Sequence, residues 1–74
     1  MARSAMWNLI ARGDVLLSQL QDKGEKTFFE ADRLRRGETT PIKFNAKVGA
    51  FNAKNRELRK NLAEIRRGLK NGVK

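Results

Sequence analysis

A mainly α fold, either a small helical hairpin or a three-helix domain with a long basic C-terminal helix, is predicted by three features of this sequence. Apolar residues recur at alternating spacings of four and three from Phe44 to Leu69. A second stripe at helical spacing runs from Met6 to Leu20, and the single proline, Pro41, follows the turn-forming cluster Gly37-Glu38-Thr39-Thr40. With 74 residues, the chain has room for one domain, residues 1–74, around one modest core.

From about Ser4 to Lys23, Met6, Ile10, Leu17 and Leu20 share a stripe that Leu9 and Leu16 widen, the pattern of an amphipathic helix. Gly13 interrupts the stripe and Asp14 behind it is a good N-cap, so the pattern allows one helix or two pieces broken at Gly13. Gly24 is the expected end. Trp7 lies just off the stripe and fits either the core or the surface.

Lys26 to Arg36 supports two readings. Phe28, Phe29, Ala31 and Leu34 fit a short helix stopped by Gly37. The competing reading is a short β-hairpin within 27–46, pairing a strand at Thr27 to Ala31 with Pro41 to Ala46, where Ile42 and Phe44 alternate with polar residues. Helix is favoured, because Glu30, Ala31, Arg33, Leu34 and Arg35 are intrinsic helix formers.

Thr40 followed by Pro41 starts the third element well. The Thr hydroxyl caps orphan amides, and proline at the first helical position loses no bond the helix would have made. Gly68 or Gly72 supplies the stop. Between them Phe44, Val48, Phe51, Asn55, Leu58, Leu62, Ile65 and Leu69 form a heptad seam, in which Asn55 either sets register and oligomer state or reaches water at the seam's edge. A parallel self-zipper is disfavoured, since Lys47 or Lys54 would face Asn52 or Arg59 rather than opposite charges. The seam is therefore expected to close on the first helix, with Phe28, Phe29 and Leu34 capping one end.

The composition argues against an enzyme. No Cys, His or Tyr is present, which removes most general bases, nucleophiles and metal ligands, so neither a metal site nor a cofactor is expected. Eight acidic residues lie among 17 Lys and Arg and read as ion-pair partners. No apolar run approaches a membrane span and Met1 to Ile10 lacks the apolar core of a signal peptide, which leads to the expectation of a cytoplasmic protein. A membrane-surface helix is disfavoured, because a narrow seam containing Asn55 suits core packing better.

Charge points to the partner. The net charge is +9, divided as +2 over residues 1–37 and +7 over residues 38–74. Such a balance suits an acidic protein face or nucleic acid, close by or directly bound. On a helical wheel Arg56, Arg59, Lys60, Arg66, Arg67 and Lys70 share one arc, and Lys43, Lys47 and Lys54 line the other flank of the seam. Arg33, Arg35 and Arg36 form a second cluster, suited either to a helix C-terminus or to phosphate. Trp7 and Phe28 are candidate anchors for a protein partner, Trp being enriched at interface hot spots.

In size, basicity and lack of Cys and His, the whole chain resembles the small basic transcription regulators of bacterial viruses, including short antitermination proteins. The resemblance implies a host RNA polymerase subunit as partner and assigns no individual residue. The leading expectation is a transcription regulator that binds RNA polymerase and modulates initiation or termination. A direct DNA-binding regulator of excisionase or repressor type, and a ribosome- or RNA-associated structural protein, are the alternatives.

Overall fold

The computed structural model describes residues 3–70, with side chains from residue 5. Two helices account for nearly all of it: α1, Arg3–Arg35, and α2, Pro41–Lys70. They pack side by side as an antiparallel hairpin measuring 53 × 14 × 11 Å, in which Gly13 meets Asn61, Gly24 meets Phe51 and Thr27 meets Lys47.

The connection follows from its residues. Gly37 takes φ +74°, a conformation costly for any residue with a Cβ. Its amide donates to the Leu34 carbonyl at 3.0 Å and the Glu38 amide to the Arg33 carbonyl at 2.8 Å, the paired bonds of a Schellman cap. At the start of α2 the Lys43 amide donates to the Thr40 hydroxyl oxygen at 3.3 Å, with Pro41 at the first helical position. The expected stop at Gly37 and start at Thr40-Pro41 are both present.

The hairpin core is thin. Leu16, 2 % exposed, is the one fully buried hydrophobic side chain among the described residues, and such a leucine contributes only about 2 kcal/mol. Met6, Leu9 and Leu20 of α1 and Phe44, Val48, Phe51, Leu58 and Ile65 of α2 are half-buried around it. Two polar residues share the seam, Glu30 and Asn61, each 6 % exposed. Glu30 accepts from Arg33 at 3.3 Å, and the Asn61 amide donates to the Leu9 carbonyl at 2.9 Å.

Several expectations are corrected. α1 is neither broken at Gly13 nor ended at Gly24, and Lys26 to Arg36 is its last stretch, so the two-helix form holds and the three-helix domain is not seen. Both glycines are notches instead: a Cβ on Gly13 would lie 2.7 Å from Asn61 Oδ1, and one on Gly24 3.2 Å from the Phe51 ring. No strand occurs among the described residues, and 27–46 is helix, turn and helix. α2 passes through Gly68 to Lys70, while Gly72 lies outside the described residues.

The seam itself turns. Leu62 and Leu69 are exposed, while Asn61 is buried against α1 at Gly13 and Gly68 is half-buried. Phe28 and Phe29 do not cap the hairpin but lie open, at 78 % and 63 % exposure, beside a half-buried Leu34.

Candidate anionic-partner interface

The basic residues singled out by sequence fall into three structural groups. Arg33, Arg35 and Arg36 stand at the end of α1, where acidic neighbours one turn away meet them. Arg33 pairs with Glu30 at 3.3 Å and donates to the Glu38 carbonyl at 3.0 Å. Arg35 and Arg36 share Asp32, at 2.7 and 3.0 Å, and Arg36 also reaches Glu38 at 3.6 Å. The hydrogen bond from Arg35 holds the Asp32 carboxyl below its ordinary range, with the charges of Arg36 and Arg35 acting in the same direction against partial desolvation. Three cations are thus offset by three carboxylates, and the cluster serves the helix end.

The second group flanks the interhelical groove. Lys54 is half-buried and pairs with Glu57 at 3.3 Å, and Glu57 also meets Arg12 of α1 across 3.8 Å. Lys43 and Lys47 are exposed and form no ion pair with a described residue.

The third group lies on the side of α2 that faces away from α1. Arg56, Arg59, Lys60, Arg66, Arg67 and Lys70 are all exposed, and none forms an ion pair with a described residue. From Arg56 to Lys70 the row extends about 21 Å along one helix. Leu62 and Ala63 lie between its arginines, so a shallow surface hollow is lined by Arg59, Leu62, Ala63, Arg66, Arg67 and Lys70. Glu57 and Glu64 border the row beside Arg56, Lys60 and Arg67 without forming an ion pair to it, and six cations against two carboxylates leave a net positive face that favours any polyanion brought against it.

Trp7, 61 % exposed, stands on α1 away from α2. Ile10, Leu17 and Phe28 are exposed on one flank of α1. The Arg12–Glu57 contact defines the opposite flank, so Leu62 and Leu69, across the seam of α2 from Glu57, share the flank of Ile10 and Leu17.

Sequence reasoning missed Asn61 and Glu30 as seam residues, since both read as solvated positions. The signal available was Gly13, a small residue on an apolar stripe that leaves room for a polar side chain from the facing helix. No helix among the described residues is long and apolar enough to cross a membrane. No family model matches the sequence, and comparison with curated proteins and with solved structures found no significant match.

Proposed function

We propose that this protein is a non-catalytic transcription regulator that docks on RNA polymerase through the outward face of α2. The observation that supports the reading best is the row Arg56, Arg59, Lys60, Arg66, Arg67 and Lys70, exposed and without ion pairs to described residues, while the turn arginines are paired. Unpaired cations on a rigid helix are preorganised for an acidic surface and speed its capture. Trp7, exposed on the opposite side of the hairpin, is outside this face and would serve a second contact of the kind that gives such complexes specificity.

A second reading is direct binding of nucleic acid by the same face. It is favoured by the one-sided, roughly 21 Å row itself, which suits a phosphate backbone as well as a carboxylate cluster. Immobilised protein challenged with bacterial RNA polymerase, before and after nuclease, separates the two. Retention after nuclease that falls with rising salt, and is lost in Arg56→Glu with Arg67→Glu, supports the polymerase contact. Retention that needs nucleic acid moves the function to the second reading, and no retention of either partner rejects both.

A further inference from the structure

We infer that the exposed apolar flank of the hairpin is covered by a second copy of the same chain, giving a dimeric four-helix bundle with α1 of each copy packed against α2 of the other. The hairpin buries polar Asn61 and Glu30 between its helices and leaves Ile10, Leu17, Leu62 and Leu69 exposed on one side. The apolar stripes of both helices are therefore centred to one side of the seam, toward that flank. This is the position they need in a bundle of four helices and not in a pair.

Area points the same way. The chain exposes 5770 Å², whereas a globular protein of its mass, 8.4 kDa, exposes about 4,600 Å². The excess, roughly 1,200 Å², goes with the rod shape of 53 × 14 × 11 Å and is larger than the ~800 Å² per partner that a standard stable interface buries. A core with one fully buried hydrophobic residue among the described residues, and no disulfide, is also what oligomerisation compensates in small chains.

Charge selects the second copy and its orientation. The contacts Gly13–Asn61 and Gly24–Phe51 set which residues lie level on the two helices. A twofold axis running along the hairpin preserves those levels while placing α1 opposite the other copy's α2. Ile10 then lies within about one helical turn of Leu62 of the second copy, and Asp14, which forms no ion pair with a described residue, within side-chain reach of Arg59 of the second copy. Both α2 helices sit diagonally, so Arg56, Lys60, Arg67 and Lys70 of each copy stay on the outside, apart from one another, while Arg59 and Arg66, which line the hollow beside Leu62, border the interface. The two α2 seams never face, which avoids the like charges of a parallel zipper.

The full chain, with no partner added, tests this by light scattering coupled to size exclusion over a range of micromolar concentrations. The expected mass is twice 8.4 kDa, with a melting temperature that rises with protein concentration. Ile10→Lys alone and Leu62→Glu alone should each give a helical monomer by circular dichroism, since both side chains are exposed in the hairpin. Mixed together, the two variants should recover the dimer mass, because the new Lys and Glu face each other across one half of the interface. A single-chain mass for the unaltered protein at every concentration overturns the inference. So does a dimer that survives both substitutions, or a mixture that stays monomeric.

Discussion

Asn61 of α2 fits into α1 at Gly13: its amide donates to the Leu9 carbonyl at 2.9 Å, and its Oδ1 lies 2.7 Å from where a Cβ on Gly13 would stand. A glycine that weakens α1 by its propensity is kept helical by the polar side chain it admits. The pair makes Gly13→Ala depend on its neighbour. Alanine adds about 1 kcal/mol of helix propensity, but Asn61 must then swing aside and give up a hydrogen bond worth about 1 kcal/mol. Urea denaturation should find Gly13→Ala neutral or destabilising alone, and stabilising by about 1 kcal/mol in an Asn61→Ala background. Equal effects in both backgrounds would remove the coupling.

Gly37 and Gly49 should respond in opposite directions to the same substitution. Gly37 has φ +74°, where a Cβ is strained, and it closes the cap of α1. Gly49 lies within α2 with nothing within 4 Å of the position a Cβ would occupy. Gly37→Ala is expected to destabilise by about 1–2 kcal/mol, and Gly49→Ala to stabilise by about 1 kcal/mol through helix propensity. Thermal melts at one protein concentration would show one midpoint falling and the other rising.

The punctuation of this fold was readable because it rests on local backbone chemistry: Gly37 alone tolerates its φ, and Thr40 and Pro41 cap and start α2 without outside help. Gly13 and Gly24 misled for the converse reason. Their roles depend on Asn61 and Phe51, which are far away in sequence, and propensity counts only the local cost. Leu62 and Leu69 were expected on the seam from their spacing and are exposed instead. The two helices meet along a line rotated away from the centre of the apolar stripe, which depends on the partner helix rather than on periodicity. In the candidate interface, the arc from Arg56 to Lys70 was visible on a wheel. The pairing that neutralises Arg33, Arg35 and Arg36 needed side-chain geometry.

Asp32 makes the end of α1 sensitive to acid. Its hydrogen bond from Arg35, and the nearby charges of Arg36 and Arg35, lower its pKa from the ordinary 3.8. A carboxylate depressed in the folded chain contributes stability that is present above the unfolded value and lost as pH falls through the folded one. Stability from this site should therefore hold above about pH 3.8 and decline below it. A carboxyl-detected NMR titration should place the Asp32 midpoint below 3.8, and Asp32→Asn should flatten the acid limb of stability in that window. A midpoint at or above the ordinary value would mean that the Arg35 and Arg36 contacts do not persist in solution.

The paired and unpaired arginines should separate stability from binding. Arg35 is held by Asp32 at 2.7 Å, whereas Arg56 and Arg67 form no ion pair with a described residue and face away from α1. Arg35→Ala should lower stability by no more than about 1 kcal/mol, the range of an exposed pair, and leave capture of an anionic partner nearly unchanged. Arg56→Glu with Arg67→Glu should leave the melting midpoint within a few degrees and slow association by about tenfold or more at low salt, an effect that shrinks as salt rises. Were the partner nucleic acid, the slope of log affinity against log salt should also fall by about 2, one unit for each phosphate contact removed. Stopped-flow association over a salt series measures both quantities. Unchanged rates in the double variant, with Arg35→Ala slowed instead, would move the binding face from α2 to the turn.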